Sequence, residues 1–303
     1  MDKVMNTNDY KGKQPTTFEE QIEILKSRNL IIEDMQEAIN ILSRVNYYRL
    51  SAYMLTLKCG DKFKDGTCFT EIYNLYEFDK RLRNICLSVL ESIEIAFRTH
   101  ISYYLSHKYG PTCYCNPEIF ACELSYADMF QELNVALTKS RELFIEHHKR
   151  KYDSEFPIWV VTEVVSFSLI SKLYSNLKVK DKKEISETYY QIPYTYLQSW
   201  IRSITVFRNI CAHYGRIYNR LLTIRPKLLK EDMNKGIMNS NVFGLIYIMG
   251  KINYDRGEWG LFISNLRSLI AKYDNVDLNK IGFPTNWDSV LSQLEPKINK
   301  NNT

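Results

Sequence analysis

Apolar residues recur at helical intervals along most of the chain, and the pattern predicts a succession of helices. Thr17 precedes Glu20 in the T-x-x-E spacing of a capping box, and Ile22, Leu25, Met35, Ile39 and Leu42 follow at helical steps. A small helical N-terminal unit is therefore expected to end near Leu57, after a loose polar tail over the first 13 residues. The polar, turn-like stretch 58–66 reads as a boundary. Over residues 71–108 one apolar stripe persists through Ile72, Leu75, Leu82, Ile85, Val89, Ile93, Ala96 and Phe97. That predicts a single helix about 55 Å long, stopped by Gly110 and Pro111. Further helices are expected over 126–151, from Pro157 to about 177, from Pro193 to about 222, and over 241–272, followed by a turn at 282–287. Four long helices with short joints make a bundle. The expected organisation is a tail and small helical unit over 1–66, a helical bundle over 67–230 and a helical C-terminal extension over 231–303.

Composition agrees with an all-α class. Gly 11 and Pro 8 are few breakers for 303 residues, which disfavours a turn-rich β architecture. Hydrophobic residues at 45% and charged residues at 25% are ordinary for a globular protein, which argues against disorder. The opening residues lack the apolar core of a signal peptide, and the longest apolar stretches, 157–170 and 242–250, are too short to span a bilayer. A cytoplasmic protein with no membrane contact is expected. Seven cysteines in no regular framework fit a reducing compartment. Cys113, Cys115 and Cys122 suggest a metal, but no fourth ligand stands near them, so neither metal nor other cofactor is expected. The 22 tyrosines suit helix packing and base stacking alike, with packing the simpler reading for each.

Charge changes the picture locally. The net +5 names no partner, but the stretch 188–230 contains no Asp or Glu while holding Arg202, Arg208, Arg216, Arg220, Arg225, Lys227 and Lys230. Such a window makes a basic surface of the kind that attracts a phosphate backbone. Placed on an ideal helix, Trp200, Ile204, Phe207, Ile210, Cys211, Tyr214, Ile217, Tyr218 and Leu221 share one arc. Arg202, Asn209, His213, Arg216 and Arg220 line the opposite side, so His213 is expected outside the core and within reach of Asn209 four residues before it.

A histidine titrates near neutrality, and a guanidinium grips two phosphate oxygens. These parts suit cleavage of RNA, whose own 2′-hydroxyl is the nucleophile, so that the protein need only move protons and stabilise charge. They equally suit a basic face that only holds nucleic acid. No Gly-rich phosphate loop, H-E-x-x-H, G-x-S-x-G or carboxylate cluster competes with this motif.

The run Arg208-Asn209-Ile210-Cys211-Ala212-His213 resembles the R-x(4–6)-H signature of HEPN ribonucleases. Its context is similar to the AbiD/AbiF branch of the abortive-infection (Abi) family. EQIEILKSRNLIIED, NYYRLSAYM, LYEFDKRLRN, IEIAFRTHI, SRELFIEHH, FPIWVVTEVVSFSLISKLYSNL and SWIRSITVFRNICAHYGRIYNR carry the likeness in order between residues 20 and 220. The resemblance implies a HEPN-type helical bundle, with Arg208 and His213 as the catalytic pair and Asn209 as the polar residue beside them. It also implies metal-independent cutting of single-stranded RNA in a homodimer, and a toxin-like role in phage defence. The family often reads A-H-x-x-R-L-W-N-R, whereas Ile217 and Tyr218 stand here in place of Leu-Trp, a departure on the apolar arc.

Glu94 and Arg98, four apart, read as a structural ion pair or as support for the site. Arg202, Arg216, Arg220 and His147 read as RNA contacts, His147 on an amphipathic segment that is basic at its end. Arg208 and His213 diverge by about 140° on a regular helix, so a two-fold dimer that sets one chain's arginine beside the other's histidine is expected. The alternative function is a non-catalytic RNA-binding module that holds a structured RNA. A DNA-binding regulator fits less well, because the N-terminal unit lacks a concentrated basic helix.

Overall fold

The computed structural model describes residues 12–294, so the stretch expected to be a loose tail lies almost wholly outside the described residues. The chain divides into two compact units, Met1–Glu77 and Phe78–Thr303. In the first, α1 (Phe18–Ser27) opens on the expected capping box: Glu20 N–H donates to Thr17 Oγ1 and the Glu20 carboxylate accepts from Thr17 N–H at 2.8 Å. Asp34 and Asn46 cap α2 (Met35–Arg44) and α3 (Tyr47–Met54) in the same way, each accepting from a first-turn N–H. Ile22, Leu25, Leu42, Leu50 and Met54 of these helices are buried. The turn-like stretch that follows forms a hairpin of β1 (Lys58–Cys59) and β2 (Lys62–Phe63), paired antiparallel.

Helix α4 (Phe69–Tyr109) is the unbroken helix that the stripe predicts; its 41 residues span about 60 Å. The boundary between the two units falls inside it. In the second unit three expected helices are each broken in two. The 126–151 segment forms α5 (Glu123–Lys139) and α6 (Leu143–Lys151), because Ser140 and Glu142 are extended and Ser140 Oγ takes the Glu142 N–H. The segment after Pro157 forms α7 (Ile158–Val164) and α8 (Phe167–Asn176), separated by extended Val165 and by Ser166, which caps α8. After α9 (Val179–Ile185), a π turn (Ser186–Tyr190), α10 (Tyr194–Ala212) and α11 (Lys230–Asn234), the 241–272 segment forms α12 (Val242–Ile252) and α13 (Arg256–Lys272). Asp255 caps α13 through Glu258 N–H at 2.8 Å.

In each break a short polar side chain offers the backbone an alternative partner. The apolar period runs on across it, since Val161, Val165, Leu169 and Ile170 are all buried. Periodicity alone therefore cannot see the joint. The chain closes with α14 (Trp287–Ser292), after Gly282 turns with φ +82°.

The core of this unit forms where α10 packs against α8 and α12. Phe97 of α4 meets the rings of Phe167, Tyr174 and Tyr190 at centroid distances of 5.4 to 6.2 Å. Helices α12 and α13 approach closely at Gly250, where a Cβ would lie 2.4 Å from Trp259 Cζ2. The chain is all-α: the described residues are 68% helical and hold one two-stranded sheet. Among the described residues no helix is long and apolar enough to cross a membrane.

Candidate functional site

Helix α10 ends ten residues earlier than its apolar pattern predicts, and the candidate motif sits on that end. Ala212 is its last residue and His213 is the C-cap, its N–H still bonded to Asn209 O at 3.0 Å. Tyr214 N–H then donates to Cys211 O at 3.2 Å and Gly215 N–H to Ile210 O at 2.8 Å, the paired bonds of a Schellman motif. Tyr214 adopts φ +60°, a left-handed conformation that costs a non-glycine residue about 1 kcal/mol. Gly215 lets the chain fold back, since a Cβ there would stand 3.0 Å from both Ile210 Cγ2 and Ile210 O. His213 and Tyr214 are exposed.

Arg208, half-buried, points its Nε at Glu94 Oε2 of α4, 3.1 Å away. The other oxygen of Glu94 takes Arg98, through Nε at 3.2 Å and through a close Nη2 contact. Arg98 donates onward to Val165 O at 2.8 Å and to Thr162 O, so it ties α4 to the extended joint between α7 and α8. One carboxylate thus serves two guanidinium groups. Its ion pair with Arg98 is structural, as the four-residue spacing suggests, and it also holds Arg208. Arg98 is buried, whereas the Arg208 side chain keeps 38% of its surface exposed, so its Nη groups can meet an anion. The Asn209 amide donates to Ser168 Oγ at 3.3 Å. This serine on α8 is a partner that the sequence reading did not single out.

Beyond His213 the chain leaves the helix, so the predicted polar stripe does not extend to Arg216 and Arg220. Arg216 donates to Tyr218 O at 2.8 Å, and Arg220 to Arg216 O at 3.0 Å. Ile217 and Tyr218 are buried as the helical arc predicts, but for another reason. Asp79 on α4, fully buried, accepts the N–H groups of Ile217 at 2.9 Å and Tyr218 at 2.5 Å. Arg83 pairs with Asp79 and also reaches Gly215 O at 3.4 Å. Leu221, assigned to the same arc, is 72% exposed. The sequence pattern does not mark Asp79 and Arg83 as anchors, although their four-residue spacing matches that of Glu94 and Arg98.

The structure joins Glu94, Arg98 and Arg208 in one bonded cluster, turns the Asn209 amide to Ser168 instead, and places His213 at the exit of the same helix. Arg202 lies further back on α10 and is exposed. His147 is on α6, where its ring meets His148 and Tyr152 at 6.1 and 5.8 Å. Cys113 is buried, which pushes its thiol up to about 11, whereas Cys115 and Cys122 are exposed. Among the described residues no group of three His, Cys, Asp or Glu side chains is placed to hold a metal ion.

No curated protein and no solved structure matches the chain. The sequence model of one family, described as Abi-like protein, matches residues 40–219, which take in the Asp79 and Glu94 anchors and the motif at the end of α10; the chain belongs to that family.

Proposed function

We propose that the chain is a metal-independent endoribonuclease of the HEPN type acting in abortive infection, and that it cleaves single-stranded RNA. The observation that carries this reading is the pairing of two features on α10. A guanidinium is presented half-exposed by a buried carboxylate, and an exposed histidine follows at the helix exit. In the step proposed, the RNA 2′-oxygen bonds to the adjacent phosphorus and the bond from phosphorus to the 5′-oxygen breaks. An imidazole takes the proton of the 2′-hydroxyl, and an imidazolium returns one to the 5′-oxygen. Arg208 offsets charge on the phosphorane. The products are a 2′,3′-cyclic phosphate and a 5′-hydroxyl, and the nucleophile comes from the substrate, so no metal-bound water is needed.

His213 keeps its N–H bond to Asn209 O, so the angular divergence between Arg208 and His213 expected on a helix persists. A homodimer that sets Arg208 of one copy beside His213 of the other would close the site and supply two imidazoles. The test is incubation of labelled single-stranded RNA with the protein in excess EDTA. RNA but not DNA of the same sequence should be cut to cyclic phosphate ends, and His213→Ala should slow cleavage by roughly 10²–10⁴-fold while RNA binding survives. Cleavage by His213→Ala at the unmodified rate, or 3′-hydroxyl ends, would remove the mechanism. Mixing Arg208→Ala with His213→Ala protein should restore part of the activity if the site is shared between copies. The acid-free stretch 188–230 also suits a non-catalytic holder of structured RNA, for which His213→Lys would keep full function.

A further inference from the structure

The N-terminal half of α10 borders a cavity of about 520 Å³ lined by Lys182, Arg202, Arg225 and Lys227. Among the described residues no Asp or Glu lines it and none of these four cations is in a salt bridge. Lys182 is 8% exposed, and among the described residues its ammonium has only neutral acceptors, Ser175 O at 2.9 Å and Gln198 Oε1 at 3.3 Å. Burial lowers its proton affinity. Among the described residues no carboxylate pairs with this ammonium at the cavity wall, and an anion in the cavity would balance its charge.

The opposite wall is fixed. Lys227 N–H donates to Ser199 Oγ at 2.9 Å, Trp200 Nε1 to Lys227 O at 2.6 Å, and Asn239 Nδ2 to Pro226 O at 3.1 Å. Arg225 and Lys227 are therefore carried on a segment pinned to α10 before any ligand arrives. The hydroxyls of Thr195 and Thr223 add donors. The volume lies in the roughly 300–1,000 Å³ range of small-molecule sites, more than a phosphate alone requires. Tyr194, whose ring has the Lys182 ammonium over it at 5.6 Å, and Gln198 also line the cavity, and the Gln198 amide offers a hydrogen-bonding group to a base.

We propose that this cavity binds the phosphate of a nucleotide unit, supplied either by a free 5′-nucleotide or by an RNA strand that extends along α10 from the motif. Arg202 precedes Asn209 by seven residues, about 10 Å along the axis and on nearly the same line. The strand version rests on the ribonuclease reading, and the free-nucleotide version does not.

The test uses the whole protein with two probes, 5′-AMP and a short fluorescent single-stranded RNA that is 2′-O-methylated throughout and so resists cleavage. Arg225→Gln/Lys227→Gln should weaken binding about tenfold or more, and Arg202→Gln, on a separate element, should weaken it in the same direction. A control with the same loss of charge at exposed positions elsewhere, Lys139→Gln/Lys180→Gln, should change it by less than about twofold. Loss for AMP alone assigns a free nucleotide, loss for the RNA alone assigns the strand, and loss for both with mutual competition assigns one site to both. Failure of both probes to bind, or equal binding by the cavity variants and the unmodified protein, overturns the proposal. Should the unmodified protein cut no RNA while the cavity variants lose AMP, the ribonuclease reading falls and the cavity stands. Normal RNA cleavage with unchanged probe binding in the variants overturns the cavity alone.

Discussion

Helix α4 carries two buried acid and arginine pairs with the same four-residue spacing, Asp79 with Arg83 and Glu94 with Arg98, and the molecule uses them differently. Asp79 takes two backbone N–H groups of the segment after the motif, and Arg83 reaches a carbonyl of the same segment. That pair is closed, with Arg83 only 4% exposed. Glu94 and Arg98 also fix backbone, through the carbonyls of Thr162 and Val165, but one oxygen of Glu94 reaches outward to Arg208. A closed pair can only hold the chain in place. A pair open on one side also holds a guanidinium that meets solvent, so identical spacing in the sequence yields a closed anchor in one place and an open support for Arg208 in the other.

The comparison is broken most forcefully at Asp79. Asp79→Ala strands a buried guanidinium and two buried N–H groups, a loss of about 3–5 kcal/mol. Thermal unfolding should show Tm lowered by on the order of 10 °C, and limited proteolysis should cut between residues 213 and 222; an unchanged Tm would deny the anchor.

Acid offers the next largest effect, at a third buried polar position on the same helix. His100 packs on Tyr189 and bonds Tyr190 through Nδ1 at 3.0 Å, and burial lowers its pKa to about 4. The unfolded chain takes up that proton near pH 6.5. Stability from neutral His100 is therefore complete above about pH 6.5 and is lost as pH falls toward 4, by on the order of 3 kcal/mol. Denaturant midpoints measured across this interval should flatten in His100→Gln, and a slope that persists there would assign acid sensitivity to other groups.

Glu94→Gln should cost less stability than Asp79→Ala, about 1–3 kcal/mol, because Arg98 keeps its two carbonyls. Its larger consequence should be functional. With Arg208 no longer held, single-turnover RNA cleavage should fall by up to about a hundredfold, while Asp79→Asn protein that remains folded should be limited by stability instead. The smallest effect is expected at Arg216, whose described bonds are to neighbouring carbonyls. Arg216→Ala should shift the denaturant midpoint by the equivalent of about 1 kcal/mol.

Much of this arrangement is legible in the residues themselves. The Thr17 capping box, the single long helix ended by Gly110 and the helix that carries Arg208 and Asn209 all follow from local spacing, because propensity and capping act within a few residues. Glu94 and Arg98 are also readable as a pair. Their connection to Arg208 is not, since it depends on how α4 and α10 pack. The end of α10 shows the limit most clearly. Helical periodicity extends past Ala212 through Ile217 and Tyr218, yet the chain there has left the helix and Asp79 of another helix holds their backbone N–H groups, and Leu221 reveals the mismatch by facing solvent. The breaks at Ser140, Ser166 and Asp255 carried a readable signal, a short side chain able to take a backbone N–H, which the continuing apolar period masks.

The use of one helix to carry both pairs also limits how the chain can change in length. Asp79 and Glu94 are fifteen residues apart, about 22 Å along α4 and about 60° around it. Deleting a single residue between Arg83 and Glu94 would turn one pair by about 100° against the other, so the backbone clamp and the Arg208 support could not both form. An insertion at 140–142 or 253–255 would only lengthen a joint. Length variation is therefore expected to collect in those joints and to be excluded from positions 84–93, where α4 works as a fixed ruler.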